Sequence, residues 1–183
     1  MALSPDKRQQ LLTLQNAGIF NDPLIGTYQT NAFALDNQYS GVFLQASRFN
    51  HSCLPNARYA WNSTLQRFRM YALRDIAIGE EIFVSYLHNT HVYGSSRQAR
   101  QTRLARYGFI CTCATCSLQG AAAEASDARR TEVAKIWENF PNCTSDQDRN
   151  SALARVMRLL QEDGYPGDYD DFYAIECVQP LTR

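Results

Sequence analysis

Asn50-His51-Ser52-Cys53 and, some sixty residues later, Cys111-Thr112-Cys113-Ala114-Thr115-Cys116 are the stretches whose reading decides the fold of this chain. Three thiols within six residues do not easily pair with one another as disulfides. They can wrap one metal ion when a fourth ligand arrives from elsewhere. Zn²⁺ favours four thiolate or imidazole ligands in a tetrahedron, and Cys53 supplies the fourth. The spacing therefore predicts a closed structural site built on Cys53, Cys111, Cys113 and Cys116, tying an asparagine-histidine turn to a distant loop. His51 is the competing ligand in the first stretch. A redox use of Cys111–Cys116 is the rival chemistry, but the CxC spacing and the lack of a βαβ pattern argue against it.

Working outward, the bulk composition fits this reading. The chain has 183 residues, 45% hydrophobic and 11% aromatic, enough for a real core and against wholesale disorder. Lysine plus arginine balances aspartate plus glutamate at 18 each, which gives no footprint for nucleic acid or an anionic membrane. No apolar run approaches membrane-spanning length, and the polar start Met1–Gln10 is no signal peptide. A reducing compartment follows, where metal binding beats disulfides. The acceptor patterns Asn62-Ser63-Thr64 and Asn142-Cys143-Thr144 are read as chance.

Along the chain, Ser4 and Pro5 start a helix through Leu11, Leu12 and Leu14 that Gly18 stops. Residues 19–49 read as loops, short helices and one strand, with Val42-Phe43-Leu44 as an apolar run. Ala57–Trp61 and Phe68–Leu73 flank a polar stretch and predict a hairpin, and Ile82-Phe83-Val84 predicts a buried strand. His88–Arg103 predicts a loop with solvated His88 and His91, then an arginine-rich helix. Glu124–Phe140 and Asn150–Glu162 read as amphipathic helices, the second with Leu153, Val156, Met157 and Leu160 on one face. A short helix is expected near Tyr169–Cys177. Cys143 and Cys177 lie outside any ligand spacing and read as ordinary small apolar residues.

Three segments carry a resemblance. Arg48-Phe49-Asn50-His51-Ser52-Cys53-Leu54-Pro55-Asn56 resembles the NHSCxPN motif of SET-domain protein methyltransferases. Gly79-Glu80-Glu81-Ile82-Phe83-Val84-Ser85-Tyr86 resembles their GEEIxxSY motif, and Tyr107–Cys116 their cysteine-rich post-SET loop. All three stand in the family's order, over roughly residues 28–118, and the cysteine in the first motif is most similar to the SMYD-type and fungal branch. The resemblance implies an α+β, SET-type fold of small curled sheets with a threaded C-terminal segment and a zinc-bound tail. It divides the chain into a partial SET domain with its post-SET zinc loop at 1–118, of which 1–45 is a helical insert region, and a helical region at 119–183. The family's N-terminal half-domain, with its glycine-rich GxG turn, and the SMYD-type zinc-finger insert are not found in this sequence, so the chain is expected to start inside the insert that follows them.

The function that the resemblance implies is protein-lysine N-methylation with S-adenosylmethionine as methyl donor. Asn50 and His51 would hold the donor, with further contacts from Ser47 and Asn31, and Phe109 would stack under the adenine. Tyr86 would place its hydroxyl beside the transferring methyl, and Tyr107 would wall the lysine channel. Each has a plainer alternative: Tyr86 as a core tyrosine ending a strand, Phe109 as packing under the zinc loop, Tyr107 as structural. Glu80 and Glu81, adjacent on a strand, face opposite ways and read as turn and hydrogen-bonding residues rather than a catalytic pair. Expected partners are a protein substrate and no nucleic acid or membrane, for a monomeric intracellular protein, nuclear or cytoplasmic. The alternative is a catalytically inactive SET remnant that recruits partners.

Overall fold

The computed structural model describes residues 3–35 and 38–167, in an α+β arrangement of three two-stranded sheets and six α-helices among those residues. Helix α1 (Pro5–Leu12) begins where the Ser4 side chain accepts the Lys7 N–H and Pro5 occupies the first turn, where a missing N–H costs nothing. It ends at Leu12, six residues before the expected stop at Gly18, which instead serves a left-handed turn at φ +73°. Asp22 caps α2 (Pro23–Asn31) by accepting the Leu24 and Ile25 N–H groups. Strands β1 (Phe33–Ala34) and β2 (Ser40–Gly41) pair antiparallel, two strands where one was expected, and both precede the Val42–Leu44 run.

Strand β3 (Asn50–His51) opens the central part. The expected hairpin follows as β4 (Ala57–Asn62) and β5 (Arg67–Ala72), in antiparallel register from Ala57↔Ala72 to Asn62↔Arg67. One face of the hairpin stacks Tyr59 on Phe68 (ring centroids 5.3 Å apart), and Phe68 on Phe43 (4.3 Å). Strand β6 (Phe83–Val84) then returns to pair in parallel with β3, Asn50 opposite Phe83 and His51 opposite Val84. This pair joins segments more than thirty residues apart and seats the site.

The C-terminal half is helical: α3 (Asn89–Tyr93), α4 (Arg97–Leu104), α5 (Gly120–Asn139) and α6 (Asp146–Glu162). The last is capped by Ser145 and buries Leu153, Val156, Met157, Leu159 and Leu160, the predicted face plus Leu159. His88 and His91 are exposed as expected, His91 within α3 rather than in a loop. One apolar cluster runs from Cys53, Leu73 and Leu87 through Leu104, Cys111 and Cys116 to Val133, Val156 and Leu160. The expected helix at Tyr169–Cys177 and Cys177 itself lie outside the described residues.

Candidate functional site

Four thiols converge. The Sγ atoms of Cys53, Cys111, Cys113 and Cys116 all lie within 4.8 Å of one another, and Cys53 and Cys116 approach to 3.6 Å. A tetrahedron of thiolates around Zn²⁺ at about 2.3 Å has S···S edges of about 3.8 Å, so this donor set fits one such ion. None of the four is in a disulfide. The crowded thiols, Cys111 foremost, push the Cys53 thiol up and bring the Cys113 thiol down. All four can ionise together only around a cation. His51 stands beside the group, its Nε2 3.4 Å from Cys53 Sγ.

That histidine connects the thiols to the second motif. Its Nδ1 accepts the backbone N–H of Tyr86 at 3.0 Å, which leaves Nε2 to carry the proton and face the Cys53 sulfur. Burial lowers the His51 pKa to about 4, against the attraction of Cys113, so the ring is neutral. The β3–β6 pairing that creates this contact is fastened from outside by Asn56. Its Oδ1 accepts the Phe83 N–H at 2.8 Å, while Nδ2 donates to Glu81 O at 2.9 Å and to Glu80 Oε1 at 3.0 Å. Asn50 donates from Nδ2 to Glu81 Oε1 at 2.6 Å. Glu80 also pairs with Arg74 and accepts the Ala77 N–H, and these bonds, Arg74 first, lower its pKa to about 2. Both glutamates thus hold the turn, as expected.

Tyr86 follows β6 by two residues and is half-buried. Its hydroxyl donates to the Phe49 carbonyl at 2.7 Å, and its ring lies 4.9 Å from that of Tyr107, whose hydroxyl donates to Tyr86 O at 3.4 Å. Burial, then the neighbouring Tyr107 and Glu81, raise the Tyr86 pKa, so the hydroxyl keeps its proton. Phe109 meets Tyr86 edge-on at 6.2 Å and lies 6.1 Å from the His51 ring. Gly108, at φ +78°, provides the left-handed corner that turns the chain from Tyr107 to Phe109, a conformation a Cβ would strain.

These groups line one open cavity of about 950 Å³, which also takes in Asn31, Ser47, Asn50, Cys111 and Cys113. The volume suits a nucleoside-sized ligand with a side chain beside it. Asn31 points both amide hydrogens into the fold, to Gln15 O at 2.6 Å and Thr27 O at 2.7 Å, so its Nδ2 ties α2 to the α1 connection. Ser47 donates to Asn31 O at 3.1 Å. All eleven residues singled out from the sequence therefore surround one cavity and one thiol group. Sequence reasoning missed the fastening role of Asn56 and the residues of α4 behind the cysteine loop. The first stands in a quoted motif. The second shows only as Arg97, Arg100 and Gln101 at helical spacing.

Known proteins resemble this chain over part of its length. The SET domain family matches residues 5–87. The histone-lysine N-methyltransferase set5 of Schizosaccharomyces pombe is 36% identical over 115 residues, 61% of this chain and 34% of that protein. The protein-lysine N-trimethyltransferase SMYD5 of Danio rerio is 38% identical over 85 residues, 46% of this chain and 20% of that protein. Human SMYD5 is 33% identical over 118 residues, 63% of this chain and 27% of its own. The chain spans about a third or less of the length of these relatives. It carries a SET domain, homologous to the fungal set5 and animal SMYD5 proteins, with small sheets, flanking helices and a cysteine cluster that could hold a metal ion.

Proposed function

We propose that this chain forms the methyl-donor and lysine pocket of an S-adenosylmethionine-dependent protein-lysine N-methyltransferase, stapled by a structural zinc ion on Cys53, Cys111, Cys113 and Cys116. The observation that carries the reading is the His51 bridge: one ring touches the Cys53 sulfur and holds the backbone of Tyr86 at the edge of a 950 Å³ cavity. Set5 is a histone-lysine and SMYD5 a protein-lysine methyltransferase, which supports the same activity here, on a histone or another protein. In this reading the pocket belongs to a unit over residues 1–118, and helices α5 and α6 belong to a separate C-terminal extension. The protein acts as a monomer in the nucleus, the cytoplasm or both.

S-adenosylmethionine supplies an electrophilic methyl group on a sulfonium. The chain's own residues supply position. The Asn50 side chain is held by Glu81, which fixes the β3 backbone at the cavity wall, and Phe109 offers an aromatic face for a purine. With its proton committed to the Phe49 carbonyl, the Tyr86 hydroxyl presents lone pairs to the cavity, where they accept an N–H of the incoming amine. A lysine side chain is mostly protonated at neutral pH, with an ordinary pKa of about 10.4, so a half-desolvated aromatic channel between Tyr86 and Tyr107 favours the neutral, nucleophilic form. Most of the rate then comes from holding nucleophile and electrophile in line.

Calorimetry with the zinc-loaded chain tests the proposal. Micromolar S-adenosylmethionine binding, lost in Asn50→Ala, is the expected result. No binding at millimolar donor would instead leave the chain as a non-catalytic interaction module.

A further inference from the structure

Helix α4 turns one face toward the cysteine loop, with Arg97, Arg100, Gln101 and Leu104 at positions i, i+3, i+4 and i+7. Gln101 pairs with the Cys111 main chain in both directions: Oε1 accepts its N–H at 2.9 Å, and Nε2 donates to its carbonyl at 2.7 Å. Arg97 donates from Nη1 to the Cys116 carbonyl at 3.3 Å and the Leu118 carbonyl at 2.9 Å. Between them Arg100 is fully buried. Its Nη1 donates to the Ser95 carbonyl and its Nη2 lies 3.8 Å from Cys116 Sγ.

A buried guanidinium needs a counter-charge. Asp127 is a poor candidate for that role: its Oδ1 stands 3.9 Å from Arg100, its side chain is 37% exposed, and the same oxygen already accepts the Arg97 backbone N–H at 2.7 Å. The sulfur cluster is the better match. Four thiolates around a divalent ion carry a surplus of two negative charges, and a cationic N–H donor on one sulfur offsets one of them.

We propose that Arg100 is a positioning residue for the metal: its guanidinium donates to the Cys116 sulfur, compensates the thiolate charge and so holds the ion and the cysteine loop in place. The inference rests on the reading of the four cysteines as a zinc site.

The test compares the whole chain with its Arg100→Met and Arg100→Lys variants, measuring zinc affinity by competition with a chromophoric chelator and the thermal unfolding of metal-free and loaded forms. Outer-shell partners of metal ligands are worth about 10- to 100-fold in affinity, so Arg100→Met should weaken zinc by that factor and Arg100→Lys, which keeps the charge, should recover most of it. The Met variant should lose more melting temperature in the loaded form than in the metal-free form, where only the bond to the Ser95 carbonyl goes, because the loaded form carries the charge that Arg100 offsets. Equal losses of stability in both forms, or unchanged zinc affinity, would overturn the inference. Should the Met variant not fold, a Lys variant that binds zinc tenfold or more below wild type would also overturn the charge argument, and one close to wild type would support it. Wild type that takes up no zinc at all would remove the metal reading itself, and this inference with it.

Discussion

Asn56 spends its amide on the second motif, donating and accepting across three hydrogen bonds while 3% exposed. Asn56→Ala leaves the Phe83 N–H and the Glu81 carbonyl without this partner and should cost about 2–3 kcal/mol, measured as a lower urea midpoint with an unchanged m-value. Glu80 makes a pH prediction. Its folded pKa, about 2, lies below the ordinary carboxylate value, so its contribution is complete above the ordinary value and is lost as pH falls toward 2. Glu80→Gln should therefore melt below wild type at pH 6 and at the same temperature near pH 2. At Tyr86, replacement by Phe should leave donor affinity intact and cut methyl transfer by about a hundredfold, the scale of one lost positioned hydroxyl; single-turnover assays separate the two. Residue identities at this scale were legible because Asn50, His51, Cys53 and Tyr86 sit in contiguous strings. The job of Asn56 was not, since it exists only once β3 and β6 lie side by side. Asn31 was legible as a residue of the cavity wall, but not in the inward commitment of its amide hydrogens.

Among the elements, the long ones were read, and of the two-residue strands only β6, through the apolar run Ile82-Phe83-Val84. Helix α6 announces its buried face by apolar spacing, whereas β1, β2 and β3 have two residues each and offer neither alternation nor an apolar run to detect. Helix α4 inverts the usual signal. Its inward face carries two arginines and a glutamine, so polarity marks the side that touches the cysteine loop, and Leu104 alone supplies apolar burial at the end of that row. Leu104→Ala, at a fully buried position, should cost about 3 kcal/mol from the transfer and cavity terms, checked by differential scanning calorimetry of the loaded protein.

For the molecule as a whole, the apolar cluster and the thiol group are continuous, since Cys53, Cys111 and Cys116 belong to both. Removing the ion from the proposed site should therefore be felt everywhere. A strong chelator under reducing conditions should lower the melting temperature by about 10 °C or more, given the binding free energy of structural zinc sites, and weaken donor binding in parallel. The zero net charge also hides a split. Residues 1–118 hold eleven Lys and Arg against six Asp and Glu, and residues 119–183 seven against twelve. The convergence of Cys53 with thiols that follow it by 58 to 63 residues has a further consequence for biogenesis. A nascent polypeptide leaving the ribosome presents the asparagine-histidine corner long before its mates are translated, so the pocket can be assembled only after that lag, and a cell that stalls synthesis in between holds an exposed, lone sulfur open to oxidation.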